Sequence, residues 1–352
     1  MATPSSTTVL VTGGSGFIAN YVILALLSAG YTVKTTIRNL SREAEVRSYL
    51  TNGGATASSL SRLSFTAASL DSDDGWAEAV KGCTYVHHVA SPFPTELPKH
   101  EDDIIIPARE GTVRVLKAAS AAGVKRTILT SSFGAVAYGQ PSREEPWTED
   151  DWSVVDDPKH PTTSYMKSKT IAEKAAWEFI NSDANASKME LVAILPLLVF
   201  GPVLGKDVST SLEIAKKLMD GSMPGAPHLS YIFVDVRDIA SINMLAMTTP
   251  AAASQRYIAG NDDGAFSMLQ IGNVIRENRP GVGKKPPSFE VPNFVVHLLA
   301  LWDKPIRQIL PDLGKVPKAR NSKAKEELGW KPRGTQEIIV DTVDSMVKYG
   351  IV

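Results

Sequence analysis

Residues 7–19 read TTVLVTGGSGFIA, a strand-turn-helix pattern from which the fold can be predicted. The β-branched run TTVLVT (7–12) is typical of a short strand, and FIANYVILALLSAG (17–30) has the length and apolar density of a buried helix. Glycine between the two allows a tight turn and lets the backbone approach a pyrophosphate at the helix N-terminus. The stretch therefore predicts a dinucleotide-binding turn, with cofactor contacts from Gly13, Ser15, Gly16, Phe17 and Ile18. The alternative is a turn that needs glycine for conformational reasons only.

The rest of the first half alternates between strand-like and helix-like stretches. Strands are predicted at 31–38, 63–67, 83–90, 126–132 and 189–196, and long helices at 102–122 and 163–180. Strands that alternate with crossover helices form a parallel sheet with helices on both faces. We therefore predict an α/β fold with a doubly wound parallel sheet of the Rossmann type.

The pattern changes after Pro196. Residues 201–230 are rich in glycine and proline around one amphipathic helix, strands are predicted at 231–236 and 256–260, and several short helices follow. We predict a dinucleotide-binding domain over 1–196, to which 231–260 returns. A smaller, mostly helical substrate-binding lobe is predicted from 197–230 and 261–352.

Composition excludes several classes of protein. With 43% hydrophobic and 21% charged residues the chain is typical of a globular protein, and a net charge of −1 gives no support for a nucleic-acid partner. Its one cysteine, Cys83, has no partner for an intramolecular disulfide, which favours a reducing compartment. The apolar runs are too short to span a bilayer and no targeting peptide is visible, so we expect a cytoplasmic protein without a membrane partner.

The end of the second predicted strand bears on the cofactor. Dinucleotide sites for NAD usually place Asp or Glu there to hold the ribose 2′-hydroxyl. This chain instead reads IRNLSR, with Arg38 and Arg42 and no carboxylate. A guanidinium suits the additional 2′-phosphate of NADP(H), and we therefore predict NADP(H) as the cofactor. The alternative is a pair of solvated arginines at the start of a loop.

Tyr165 and Lys169 are four residues apart on the predicted helix 163–180, so both side chains point to one face. A neighbouring ammonium stabilises a phenolate and is expected to lower the pKa of Tyr165 from its usual value near 10. The run TSS (130–132) ends the preceding strand, where α/β folds bind ligands and where a hydroxyl could polarise a carbonyl. The alternative is an exposed helix face with charged neighbours such as Glu173.

These motifs together resemble the extended short-chain dehydrogenases/reductases, in the branch of dihydroflavonol reductases, cinnamoyl-CoA reductases and microbial aldehyde/ketone reductases. The resemblance is carried by TGGSGFIA, IRN, KGCTYVHHVASP, IPAREGTVRVLKAA, ILTSSFGAV, YMKSKTIAEKAAW, LPLLVFGP and YIFVDVRDIA, from residue 8 to beyond 240. It implies an NADPH-dependent carbonyl reductase in which Tyr165 donates a proton, Lys169 lowers the pKa of Tyr165 and binds the nicotinamide ribose, and Ser132 polarises the carbonyl. Further cofactor contacts implied by the resemblance are Leu70, Asp71, Val89, Ala90, Ser91, Thr130, Ser131, Pro196, Leu197 and Val199.

The sequence departs from two members of this branch. TTSYMKSK lacks the Asn-Trp-Tyr-Cys-Tyr run of cinnamoyl-CoA reductases, and Ala137 stands where dihydroflavonol reductases often carry Asn. We therefore expect a smaller aldehyde or ketone rather than a coenzyme-A thioester or a flavonoid. The predicted substrate contacts are Phe93, Phe133 and Val136, with the 197–230 segment nearby.

Two other functions are compatible with the glycine turn. Nucleotide-sugar epimerases and dehydratases share the fold, the Tyr and the Lys, but typically retain NAD through an acid that this chain lacks. A non-enzymatic dinucleotide sensor would lose the Ser, Tyr and Lys set, which is present. We expect no metal site, because His87 and His88 lie on an apolar strand as packing residues, and we expect a monomer or a homodimer.

Overall fold

A computed structural model gives the fold of residues 4–92, 100–207, 209–282 and 286–352. Its strands are short, and in the described residues they are β1 (Thr8–Val11), β2 (Thr32–Ile37), β3 (Leu63–Ala67), β4 (Tyr85–His88), β5 (Arg126–Thr130), β6 (Glu190–Pro196), β7 (Leu198–Phe200), β8 (Ala226–Pro227), β9 (Ser230–Tyr231), β10 (Phe233–Asp235), β11 (Arg256–Ala259), β12 (Phe266–Ser267) and β13 (Glu290–Val291).

Seven of these strands form one parallel sheet in the order β11-β6-β5-β4-β1-β2-β3. The direction of winding reverses between β1 and β4, which is the arrangement of a Rossmann sheet. The central strands are apolar along their length: Val9–Val11 and Leu191–Leu195 are completely buried. Such continuous apolar runs are needed because the sheet is covered on both faces. The predicted doubly wound α/β fold is confirmed.

The helices of the described residues are α1 (Phe17–Ser28), α2 (Glu43–Asn52), α3 (Ala57–Leu60), α4 (Trp76–Val80), α5 (Asp102–Ala121), α6 (Ser164–Ile180), α7 (Glu213–Met219), α8 (Val236–Thr248), α9 (Met268–Asn278), α10 (Asn293–Leu299), α11 (Lys304–Ile309), α12 (Ser322–Leu328) and α13 (Thr335–Lys348). One face of the sheet packs on α1 and α8, and the other on α5 and α6. Across the described ranges, no helix combines the length and apolar content needed to cross a bilayer.

A second hydrophobic core lies beside the sheet. Its buried residues come from α7, α9, α13 and the strands β7 and β10, with the rings of Phe200 and Phe233 4.8 Å apart. These segments are far apart in the sequence, so the core forms only when the chain folds back on itself. The division into a dinucleotide domain and a substrate lobe stays a prediction.

The chain departs from the predicted strand over 231–236. It forms two short strands instead, of which β10 pairs with β7 in a separate two-stranded sheet and not with the main sheet. The second strand ends at Asp235 because the Asp235 carboxylate accepts a hydrogen bond from the Arg237 amide at 2.8 Å and caps α8. The main sheet receives β11 as its edge strand instead.

Candidate active site

The glycine turn after β1 leaves the start of α1 open to a cleft. Gly13 has φ of 73° and its amide region lies so close to the end of β4 that an added Cβ would sit 3.0 Å from the Ala90 Cα. Gly16 is the N-cap of α1, and no side chain caps this helix. The first N–H groups of a twelve-residue helix are therefore available to an anion. The positive φ and the contact with Ala90 require glycine at position 13, and together with the uncapped helix N-terminus this turn fits the pyrophosphate of a dinucleotide.

The cleft runs along the carboxyl ends of the sheet strands and has a volume of about 1510 Å³. All predicted cofactor residues line it, which are Gly13, Ser15, Gly16, Phe17, Ile18, Arg38, Leu70, Asp71, Val89, Ala90, Ser91, Thr130, Ser131, Tyr165, Lys169, Pro196, Leu197 and Val199. Ser132 and Phe133 line the same cleft, and so does Ala137. Residues from seven separate segments thus meet on one surface, as expected at the switch point of a doubly wound sheet.

One predicted substrate residue, Val136, does not line the cleft, and another, Phe93, is not among the described residues. Val136 is completely buried and packs with Phe133, Leu195 and Ile258 behind the cleft wall, so its side chain does not face the cleft. Phe93 lies outside the described residues. The 133–137 turn has no simple periodicity, so the sequence does not indicate which of its side chains face the cleft.

The two arginines after β2 have different environments. Arg42 is held by Glu45 at 2.7 Å and by Asp207 at 2.9 Å, and it does not line the cleft. Arg38 is exposed, lines the cleft, and has no ion pair with any described residue. Its charge contributes to lowering the pKa of Asp71, after the hydrogen bond from Ser69. Arg38 is therefore the guanidinium that remains available to an anionic ligand.

Ser132, Tyr165 and Lys169 meet at the centre of the cleft. Helix α6 begins at Ser164 because the Thr163 hydroxyl accepts a hydrogen bond from the Met166 amide at 3.3 Å. This places Tyr165 in the first turn and Lys169 one turn later, with the Lys169 Nζ 6.0 Å from the centre of the Tyr165 ring. The Tyr165 hydroxyl is hydrogen-bonded to the Ser132 side chain. Two hydroxyls can therefore contact one substrate oxygen.

The pKa of Tyr165 is shifted upwards, whereas the sequence led us to expect that Lys169 lowers it. Burial raises the pKa of Tyr165, although the hydrogen bond with Ser132 opposes the shift. Burial also lowers the pKa of Lys169 to about 8, with Glu173 opposing. His88 lies nearby with a pKa lowered to about 3 by burial and by the Lys169 charge, so its ring is neutral. Because burial raises the pKa of Tyr165 above its usual value near 10, the side chain is a protonated phenol at neutral pH.

A buried ion pair that the sequence patterns did not predict lies behind the face of α6 that carries Tyr165 and Lys169. Glu173 is completely buried rather than on an exposed face. One carboxylate oxygen accepts a hydrogen bond from the Ser131 hydroxyl at 2.5 Å, and the other accepts one from the Arg256 Nε at 2.7 Å. The Arg256 guanidinium stacks on the Trp152 ring at 3.7 Å. The only signal in the sequence was the position of Glu173 one turn after Lys169.

No group of three or more His, Cys, Asp or Glu side chains is arranged to hold a metal ion within the part of the chain that the structure describes. His87 and His88 are both buried; His87 contacts Asn243 at 3.1 Å and His88 contacts the Thr12 hydroxyl at 2.9 Å.

Comparison with known proteins agrees with this geometry. The model of the NAD dependent epimerase/dehydratase family matches residues 9–260. The chain is 33% identical over 352 residues to cinnamoyl-CoA reductase 1 of Arabidopsis thaliana, covering 99% of this chain and 92% of that protein. It is 31% identical over 357 residues to ketoreductase azaE of Aspergillus niger, covering 97% of each.

Solved structures show the same fold over the whole chain. The crystal structure of yeast methylglyoxal/isovaleraldehyde reductase Gre2 complexed with NADPH has a TM-score of 0.79 at 26% identity, covering 98% of this chain and 99% of that one. Gre2 from Candida albicans, also solved with NADPH, has a TM-score of 0.78 at 26% identity, covering 97% and 99%. The chain therefore belongs to the NAD dependent epimerase/dehydratase family, as an NAD(P)-dependent oxidoreductase of the extended short-chain dehydrogenase/reductase type.

Proposed function

We propose that this chain is an NADPH-dependent carbonyl reductase that reduces an aldehyde or ketone to the alcohol, with Tyr165 as the proton donor. One observation carries the proposal: Ser132, Tyr165 and Lys169 line the same cleft as the open glycine turn, with Tyr165 and Ser132 hydrogen-bonded to each other. The names of the similar proteins, a ketoreductase and an aldehyde reductase among them, support the same reaction class.

Preference for NADPH over NADH rests on Arg38. This guanidinium is exposed at the cleft without an ion-pair partner among the described residues, next to the glycine turn. A bidentate contact with the 2′-phosphate would satisfy it, whereas the ribose hydroxyl of NADH would not.

The residues of the chain divide the work of the reduction. NADPH, when bound, supplies the hydride that reduces the carbonyl carbon. The buried phenol of Tyr165 is protonated and donates the proton that completes the alcohol at the carbonyl oxygen. Ser132 donates a hydrogen bond to that oxygen and stabilises its developing negative charge. Lys169 stabilises the phenolate that remains on Tyr165 after the transfer.

The substrate is proposed to be a small-molecule carbonyl compound, and the protein to act in the cytoplasm as a monomer or homodimer, without nucleic-acid or membrane partners. The single cysteine supports a reducing compartment, since Cys83 is a buried free thiol whose pKa burial raises to about 11. Cell fractionation and light scattering on the purified protein test the location and the assembly state.

The experiment follows NADPH absorbance with purified protein and a panel of aldehydes, ketones and β-keto esters, with NADH in parallel. We expect NADPH-dependent turnover, and a loss of at least about 100-fold in kcat for Tyr165→Phe, because a positioned general acid contributes that much. Tyr349→Phe is the matched control, since Tyr349 does not line the cleft. Normal turnover by Tyr165→Phe would refute its role. Absence of turnover with either nucleotide, together with interconversion of a nucleotide sugar, would establish the epimerase alternative.

A further inference from the structure

Among the polar side chains that line the cleft, Tyr138, Tyr231 and Asp312 are not part of the predicted site. Within the described ranges, neither phenol hydroxyl and neither oxygen of the carboxylate has a hydrogen-bond or ion-pair partner. Asp312 is half-buried, and burial raises the pKa of its carboxyl, which the charge of Lys315 only partly offsets. Partly or fully buried polar groups that lack partners are typical of ligand recognition, because a ligand restores the lost hydrogen bonds.

The three groups are carried by segments that contact one another and the reaction centre. The Gly314 amide, two residues after Asp312, donates a hydrogen bond to the His228 carbonyl at 2.7 Å, three residues before Tyr231. The ring of Tyr138 packs edge-on against Phe133, the residue after Ser132, with the ring centres 6.5 Å apart. The Asp312 charge raises the pKa of Tyr231 further above its normal value, after the larger effect of burial. Burial raises the pKa of Tyr138 too, and Asp312, Tyr231 and Tyr165 each add to that shift. The polar groups therefore adjoin the reaction centre, and a substituent on the substrate close to its carbonyl would reach them.

Each of the three side chains is carried by a segment that is held in place. The Tyr138 amide donates a hydrogen bond to the Ser153 hydroxyl at 2.8 Å. Tyr231 lies in β9, which pairs with β12. Asp312 ends a short 3-10 turn, and the Gly314 amide beyond it donates to a backbone carbonyl at 2.7 Å. The groups are therefore preorganised, which reduces the ordering cost of binding.

We propose that Tyr138, Tyr231 and Asp312 form a polar subsite for a hydroxyl group on the substrate, so that the preferred substrate is a hydroxylated aldehyde or ketone. A hydroxyl is the group that fits, because it donates one hydrogen bond to the Asp312 carboxylate and accepts another from a phenol. An ammonium group has donors only and cannot accept a hydrogen bond from a phenol. The inference rests on the proposed reductase function and names the substrate class of the same cleft.

The experiment compares matched pairs of ketones: hydroxyacetone with acetone, and para-hydroxyacetophenone with acetophenone, with aminoacetone as the ammonium probe. We expect the hydroxylated member of at least one pair to have kcat/KM about 10- to 100-fold above its deoxy partner, because a site built to bind a hydroxyl rejects the analogue without one. Asp312→Asn and Tyr231→Phe are each expected to lower kcat/KM for the hydroxylated ketone much more than kcat/KM for its deoxy partner, so that most of the preference is lost. Asp150→Asn makes the same charge change at an exposed position away from the cleft and should retain the preference.

Each outcome decides between the subsite and the reaction. Equal kcat/KM within both pairs, a preference for aminoacetone, or a hydroxyl preference that survives in both Asp312→Asn and Tyr231→Phe would overturn the subsite and leave the reductase function standing. If the wild-type protein reduces no carbonyl compound of any kind with NADPH, the proposed function fails, and the subsite fails with it. Because Tyr231→Phe removes one oxygen only, it remains informative even if Asp312→Asn does not fold.

Discussion

The buried ion pair between Glu173 and Arg256 allows us to predict how far Tm falls when one of its charges is removed. Glu173 is completely buried and Arg256 is 8% exposed, so neither charge is screened by solvent to any extent. Glu173→Gln preserves the shape of the side chain but leaves the Arg256 charge without its carboxylate and weakens the hydrogen bond from Ser131. Breaking a buried pair by removing one partner costs about 3–5 kcal/mol, because the remaining charge stays desolvated.

The lower end of that range applies here. Arg256 keeps its hydrogen bonds to the carbonyls of Glu149 and Asp151 and its stacking on Trp152, which compensate part of the loss. An unfolding entropy of about 2.1 cal/mol/K per residue gives about 0.7 kcal/mol/K for 352 residues. A loss of about 3 kcal/mol therefore lowers Tm by about 4 °C.

The assay is thermal and urea unfolding of wild type, Glu173→Gln and the double variant Glu173→Gln/Arg256→Met. The double variant should regain part of the stability, since it removes the uncompensated charge. Glu144→Gln is the control: it breaks the pair with Lys318 at a carboxylate that is 92% exposed, and Tm should not change. If Glu173→Gln has the same Tm as wild type, the buried ion pair does not stabilise the fold as we expect. If the double variant is less stable than Glu173→Gln, the loss of stability is due to packing and not to the uncompensated charge.

Three further predictions concern the cofactor and the reaction. Arg38→Glu should raise KM for NADPH by about 10-fold or more, because a charge-assisted bidentate contact becomes a repulsion, and leave KM for NADH nearly unchanged. The pKa of Lys169 is lowered to about 8, so the charged fraction of Lys169 falls as the pH rises and kcat/KM should decline on the alkaline side. In Glu173→Gln this decline should begin at a lower pH, because the carboxylate that raises the pKa of Lys169 is gone. Gly13→Ala should abolish nucleotide binding measured by calorimetry. Gly123 is the control, because its φ of 72° is close to the 73° of Gly13 but an added Cβ would meet open space, so Gly123→Ala should lower stability and keep nucleotide binding.

Much of the sheet domain follows from local patterns. Strands at 63–67 and helices ending near Ala121 and Ile180 were predicted within one or two residues, because hydrophobic periodicity and capping residues act over short distances along the chain. The glycine turn and the Tyr165–Lys169 spacing are local signals too, and the resemblance to a family supplied the remaining contacts along the cleft. The break at Ile232 was missed, because pairing of β10 with β7 outweighed the strand propensity of the whole run.

Local sequence patterns were thus enough to predict the doubly wound sheet and the glycine turn, and to propose Ser132, Tyr165 and Lys169 as the reacting side chains. The tertiary structure was needed to distinguish the two nearby arginines. Asp207, far along the chain, forms an ion pair with Arg42, whereas Arg38 has no ion pair with any described residue. It also decided that Val136 faces the core and that Glu173 is buried against Arg256. These features depend on contacts between segments that are separated by many residues. Such contacts produce no periodicity or motif in the sequence, so they could not be predicted from it.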